Sequence, residues 1–246
     1  MEERKGIYFV SDVHIGADDG NPQEREDRFV DFLRSIPKDS AKAVYMLGDI
    51  WDLWYEYRDL IPKDGARVVA LMFELVSSGV EVHFFPGNHD MWVSDFFGRI
   101  GVQMHSQPEF LTLDGKVFCL GHGDIVGGVD AGYRFLHWVY TSKVVQFIFS
   151  LLHPRILFAM SRKWFRISRN SHKPFDFIPE KQRIVRWAEN VSAERKVDYF
   201  VFGHFHRKVQ ITLPGGSEFF IMGDWVNSSP FLFFDGLSLT HRNFAK

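Results

Sequence analysis

The chain has 246 residues, 46% of them hydrophobic, with 29 Lys and Arg against 31 Asp and Glu, a net charge of −2. That length and balance fit one globular α/β domain with a sizeable core, spanning residues 1–246. The single cysteine, Cys119, excludes an internal disulfide and fits a reducing compartment, and the start at Met1-Glu2-Glu3-Arg4-Lys5 shows no signal peptide.

Taken in chain order, short apolar runs rich in β-branched and aromatic residues read as buried strands. Ile7-Tyr8-Phe9-Val10 runs into Asp12-Val13-His14. Phe29, Phe32, Leu33 and Ile36 then form one apolar helix face. Ala43-Val44-Tyr45-Met46-Leu47 runs into Gly48-Asp49-Ile50-Trp51-Asp52. A second helix carries Val68, Met72, Leu75 and Val76, with Asp64 expected as its cap and Gly79 as its stop. Val82-His83-Phe84-Phe85 leads into Gly87-Asn88-His89-Asp90, and Val117-Phe118-Cys119-Leu120 into Gly121-His122-Gly123-Asp124. Ile184, Trp187, Ala188 and Val191 repeat the helical spacing before Tyr199-Phe200-Val201-Phe202 and Gly203-His204-Phe205-His206. The runs at 219–222 and 231–234 read as closing strands.

Each polar cluster follows a strand, where layered α/β sheets gather their ligands. The candidate metal ligands are Asp12, His14, Asp49, Asn88, His122, His204 and His206. Carboxylate, amide and imidazole together suit Mn, Fe or Zn, and the absence of cysteine argues against a structural zinc site. Seven ligands exceed the needs of one tetrahedral ion and suffice for two divalent ions bridged by a carboxylate, with Asp49 as the central candidate. Such a pair, about 3.5–4 Å apart, clamps a phosphoryl group and lowers the pKa of water. A histidine at a strand end is ordinarily a surface or core residue, and an aspartate there is often a helix cap. Neither explains seven positions together. His83, His105, His137, His153, His172 and His241 lie outside the clusters and read as structural, and Asp90 and Asp124 as supporting groups.

One segment breaks the rhythm. Residues 131–175 hold no Asp or Glu but eight basic residues, Arg134, Lys143, Arg155, Arg162, Lys163, Arg166, Arg169 and Lys173. They also hold many large apolar side chains, among them Phe147, Phe158 and Trp164. This describes a helical cap inserted at about 130–175. It is too broken by His153-Pro154-Arg155 to span a membrane, and fits an anionic lipid or an interfacial helix. Its apolar density argues against nucleic acid as a partner. The plainer alternative is a helix pair with a solvated basic face.

The order Asp-x-His, Gly-Asp-x-x-Asp, Gly-Asn-His-Asp, Gly-His-Gly-Asp, Gly-His-x-His, filled from Asp12 to His206, resembles the calcineurin-like metallophosphoesterase superfamily. The resemblance implies a four-layer α/β/β/α sandwich. It assigns Asp12, His14, Asp49 and His206 to one metal, and Asp49, Asn88, His122 and His204 to the other. It makes His89 a catalytic residue beside the metals, oriented by Asp52, stabilising the phosphoryl group or protonating the leaving oxygen. With the cap, the chain resembles the UDP-2,3-diacylglucosamine hydrolase family of lipid A biosynthesis in Gram-negative bacteria. That resemblance implies pyrophosphate cleavage to UMP and a lipid monophosphate, by a cytoplasmic enzyme peripherally bound to the inner leaflet of the inner membrane. It places substrate contacts at Asn88, at Asp130 and Tyr133 (the family's Asp-x-x-Tyr), and at Arg166, Arg169, Asn170, Ser171 and Lys173 late in the insert. Manganese is the expected metal. The sequence departs from the family at His89, where members carry Arg, and at Asp52, where they carry Glu. This leaves another phosphodiesterase or nucleotide pyrophosphatase as the alternative, and behind it a scaffold that has lost its metals.

Overall fold

The structure is a computed structural model that describes residues 4–171, 177–226 and 228–245, with the backbone alone described at 168–171. Its strands are β1 (Gly6–Val10), β2 (Ala41–Met46), β3 (Glu81–Phe84), β4 (Gln103–Met104), β5 (Glu109–Leu113), β6 (Lys116–Gly121), β7 (Tyr199–Phe202), β8 (Lys208–Thr212), β9 (Glu218–Met222), β10 (Pro230–Phe234) and β11 (Leu239–Asn243). Its helices are α1 (Pro22–Ser35), α2 (Ala66–Ser77), α3 (Phe96–Arg99), α4 (Ala131–Thr141), α5 (Lys143–Ser150), α6 (Pro154–Ser171) and α7 (Arg183–Glu194).

Two sheets form, ordered β11-β10-β1-β2-β3-β4 and β5-β6-β7-β9-β8. The alternation of a strand decides what lies on each face. In β1, Ile7 and Phe9 meet Phe118, Val201 and Phe220 of the other sheet, while Val10 faces the helix side with Phe29, Phe32 and Met72. Beyond the second sheet, Phe200, Phe202 and Phe219 pack on Ile184, Val185 and Ala188 of α7. Helices, sheet, sheet and helix therefore stack as the expected α/β/β/α sandwich. The central strands β1, β2 and β3 run parallel, as do β6, β7 and β9, so their carboxyl ends share one rim.

The sequence reading needs three changes. Asp64 does not cap α2: Gly65 holds the cap position at φ 75°, where a Cβ would come 2.4 Å from Trp51 Nε1. Asp64 instead accepts the Trp51 indole through its carbonyl and meets Arg162 through its carboxylate. Strands β4, β5, β8 and β11 lie outside the expected runs; β4 pairs in parallel with β3, and each of the others is held by an antiparallel neighbour. The charges of the cap are also less isolated than its own sequence suggests, because Arg162 pairs with Asp64 and Arg166 with Asp18, both on the body.

The cap is built of α4, α5 and α6. Neither α4 nor α5 contains a buried residue, and among the described side chains of α6 Leu157 is the buried hydrophobic one. Three donors of the body dock the cap at carbonyls near helix ends, where intrahelical partners run out. Trp92 Nε1 donates to Tyr140 O at 2.7 Å, Tyr55 Oη to Gln146 O at 2.8 Å, and Tyr57 Oη to Leu152 O at 3.3 Å.

Candidate metal centre

The strand-end loops are zipped together by their backbones. Asp12 N donates to Gly48 O, His14 N to Asp49 O, and Gly203 N to His122 O. The loops approach so closely that a Cβ on Gly87 would lie 2.3 Å from Asp49 Oδ1. Asp90, fully buried, accepts from the amides of Gly87, Asp49, Ile50 and Trp51, and so staples the second and third motifs to each other.

This packing forces unusual backbone geometry. Asp12, His14, Asp49, His204 and His206 all adopt positive φ, between 50° and 67°. A non-glycine residue held there stores about 1–3 kcal/mol, and such strain gathers at functional sites. Asp114 is the other described non-glycine residue in this region.

The seven candidate ligands converge. Ligand atoms of Asp12, His14 and His206 lie within 4.8 Å of one another, as do those of Asp12, Asp49 and His122. Asn88 Oδ1 lies 3.2 Å from His122 Nε2 and 3.0 Å from His204 Nδ1. His14 Nε2 and His206 Nε2 face each other at 3.2 Å, and His206 Nε2 is 3.3 Å from Asp12 Oδ1. The His204 amide donates to the Asp12 carboxylate, which Ser11 also meets.

The donor chemistry suits cations. His122 Nδ1 donates to Leu47 O at 2.9 Å, which turns Nε2 into the cluster, 3.2 Å from Asp49 Oδ2 and 3.2 Å from Asn88 Oδ1. Two acceptor oxygens and a ring nitrogen thus meet at a point that calls for positive charge. The titrations say the same. Burial opposes charge on Asp49, yet His122 and His89 hold its carboxyl well below the usual range. Burial likewise opposes charge on His122, yet Asp49 raises it. His204 is pushed down to about 3 by burial and by the His122 charge, which keeps its lone pair available. These residues fit a two-ion site.

His89 sits on the rim. Its amide donates to Asp49 Oδ1 at 2.8 Å, and its Nδ1 lies 2.9 Å from the Asp52 carbonyl and 3.4 Å from Asp52 Oδ1. Asp52 thus meets His89 through both its backbone carbonyl and its carboxylate, and the carboxylate is also 3.5 Å from His14 Nδ1. Burial works against charge on His89, but Asp49 and Asp52 raise it to about 9. A ligand atom of His89 also groups with His14 and Asp49. Its face is covered by Phe165 of α6, ring centroids 4.2 Å apart.

Beside His89 a cavity of about 250 Å³ opens between body and cap, lined by Asn88, His89, Trp92, Tyr140, Phe149, Leu157, Met160, Trp164 and Phe165. The spacing Leu157, Met160, Ser161, Trp164, Phe165 on α6 was the available signal for this face. Of the apolar residues singled out from sequence, Trp164 lines the cavity, whereas Phe147 is 63% exposed and neither it nor Phe158 is a lining residue. Of the expected head-group contacts, Asp130 caps α4 by accepting from Tyr133 N, and Tyr133 Oη donates to Asp124. Arg166 lies near Asp18. The side chains of Arg169, Asn170 and Ser171, and all of Lys173, lie outside the described residues.

Residues 6–208 match the calcineurin-like phosphoesterase family. The chain belongs to this family. Calcineurin-like phosphoesterases use a dimetal centre, and the chain is a metal-dependent hydrolase. Among relatives, a protein of Porphyromonas gingivalis named UDP-2,3-diacylglucosamine hydrolase is 32% identical, the match covering 96% of each chain. Proteins of the same name from Neisseria meningitidis and Xanthomonas oryzae are each 29% identical, covering 91% and 96% of this chain and 91% and 98% of their own.

Proposed function

We propose that this protein is a dinuclear-metal phosphohydrolase that cleaves the pyrophosphate of UDP-2,3-diacylglucosamine to UMP and a lipid monophosphate, a step of lipid A biosynthesis. The name shared by its relatives supports this reading. The observation that carries it is the shared wall: Asn88 and His89 border the polar strand-end cluster and also line the apolar cavity under the cap. A substrate held there would be cut at phosphorus while an apolar chain stays buried.

In this reading Asp12, His14, Asp49 and His206 hold one ion, and Asp49, Asn88, His122 and His204 the other. Manganese is the proposed metal, within a donor set that Fe and Zn also suit. Two divalent ions there would supply Lewis-acid stabilisation of the phosphoryl group and a lowered pKa for the attacking water. Nδ1 of His89 donates to the Asp52 carbonyl, which leaves Nε2 to meet a phosphoryl or leaving oxygen. Asp52 acts by holding that ring. Asp130, Tyr133, Arg166, Arg169, Asn170, Ser171 and Lys173 are the proposed contacts of the head group.

Phe135, Trp138, Phe147, Leu151, Ile156, Trp164 and Ile167 are each more than half exposed on the cap. Exposed apolar surface of that size marks an interaction site. Beside Lys143, Arg155 and Lys163 it suits the anionic inner leaflet of the inner membrane, reached peripherally from the cytoplasm. Among the described residues no helix is long and apolar enough to cross a membrane.

The test is a substrate panel with Mn²⁺: UDP-2,3-diacylglucosamine, UDP-sugars without acyl chains, small nucleotide diphosphates and a chromogenic phosphodiester. The diacylated substrate should show the highest kcat/KM. Equal or better turnover of small nucleotides would favour a nucleotide pyrophosphatase, the reading that the His89 and Asp52 pairing supports.

A further inference from the structure

Gln107 belongs to none of the metal motifs. It lies between β4 and β5, and its amide bonds to the loop after β6 through both ends. Oε1 accepts from Gly123 N at 2.8 Å, and Nε2 donates to Asp124 Oδ1 at 2.6 Å, with a longer approach of 3.5 Å to Pro86 O. The fit is close, since a Cβ on Gly121 would stand 3.0 Å from Gln107 Cβ. One side chain therefore clamps the loop that carries His122 and reaches the residue before Gly87-Asn88-His89-Asp90.

Asp124 is 5% exposed. Its other oxygen, Oδ2, accepts from Tyr133 Oη at 3.1 Å. Tyr133 stands in the first turn of α4, and its own amide is held by Asp130, the cap residue of that helix. A continuous polar path thus runs from α4 through Tyr133, Asp124 and Gln107 to Gly123, the neighbour of His122. The Asp124 carboxylate is nearly buried and would be left short of partners without these two donors, so Gln107 and Tyr133 are placed together through it.

We infer that Gln107 is a positioning residue, coupling the first turn of the cap to the loop that carries His122. It fixes that loop directly, and by holding the Asp124 carboxylate it sets the acceptor through which Tyr133 ties α4 to the same loop. A substrate seated under the cap would then act on the same contacts that aim His122. The inference rests on the metal reading of His122.

The experiment is titration of the metal-stripped full chain with Mn²⁺ alone by calorimetry, in wild type, Gln107→Met, Tyr133→Phe and the double variant. Gln107→Met should weaken Mn²⁺ binding by about 10- to 100-fold, the range for partners that orient a ligand. Tyr133→Phe should weaken it by about threefold, as expected for coupled neighbours, although its hydroxyl bonds to Asp124 and not to any candidate ligand. The double variant should match Gln107→Met alone, because an Asp124 side chain no longer held by the amide does not pass the placement of Tyr133 on to the loop. Wild-type affinity in Tyr133→Phe, or losses that multiply in the double variant, would overturn the coupling. If Gln107→Met fails to fold, Gln107→Glu takes its place in the cycle; it keeps the acceptor for Gly123 and sets a carboxylate against Asp124. A wild-type chain that takes up no Mn²⁺ would instead sink the metal reading, a result distinct from Mn²⁺ bound equally well by wild type and Tyr133→Phe.

Discussion

The strand-end loops and the cap face each other across one cavity and are built on opposite terms. The loops are buried, zipped by backbone hydrogen bonds and held in strained conformations at Asp12, His14, Asp49, His204 and His206. The cap shows most of its large apolar side chains to solvent and is docked by a few hydrogen bonds, from Trp92, Tyr55 and Tyr57 of the body and from Tyr133 to Asp124, and by exposed ion pairs. Exposed ion pairs contribute at most about 1 kcal/mol each. Strain is sustained only where the surroundings over-determine the backbone, so the loops suit chemistry that needs fixed geometry. A loosely held apolar cap suits a ligand that must enter and leave.

The largest effect that sharpens this contrast is expected at the centre of the loops. Asp49→Ala should abolish turnover and lower the metal content, since its carboxylate is shared by two of the donor groups. Elemental analysis beside an activity assay checks this; near-normal turnover with two bound ions would defeat the bridging role.

Next comes the rim. His89→Ala should reduce turnover by a factor on the order of 10²–10⁴ while leaving the metals bound. Asp52→Asn should be milder, because the nearest Asp52 atom to the His89 ring is its carbonyl. Loss of metal in His89→Ala would make His89 a ligand, the role in which it groups with His14 and Asp49.

The cap should respond in selectivity. Trp164→Glu or Phe165→Ser should lower kcat/KM for the diacylated substrate about tenfold or more relative to a chromogenic phosphodiester. Both residues line the cavity, and Phe165 also covers His89. An unchanged ratio would mean that the cavity holds no part of the substrate. Arg166 is the weaker lever. Its partner Asp18 is exposed, so Arg166→Ala should cost little stability and should weaken association with anionic vesicles if the cap meets the membrane.

The smallest effect lies outside both regions. His241 Nε2 donates to Val209 O, a contact that joins the two sheets. Burial pushes His241 down to about 4, only partly offset by that hydrogen bond, and Lys208 adds to the depression. Its unfolded value is about 6.5. The unfolded chain therefore binds the extra proton first, and the contribution of His241 is complete above about 6.5 and lost as pH falls through about 4. His241→Gln should flatten the fall of Tm between those values; an unaltered slope would refute it.

The sequence alone determined the candidate metal-binding cluster, because each candidate ligand follows a strand and the strands are written in apolar runs such as Ile7-Tyr8-Phe9-Val10. Parallel strands bring their carboxyl ends to one rim, so chain order became spatial proximity. It also determined that 131–175 is set apart, since an acid-free basic stretch with helical spacing differs from its flanks. Tertiary structure decided what local pattern cannot carry. It exposed Phe147 and placed Phe165 on His89, a choice between faces of amphipathic helices that depends on what they dock against. It drew Asp64 away from α2 to Trp51 and Arg162, and gave Arg166 a partner in Asp18. It also assigned Gln107 to the loop of His122. A neutral side chain with no periodic or charged neighbours announces nothing in a sequence, and its role exists only once Gly123, Asp124 and Tyr133 are folded around it.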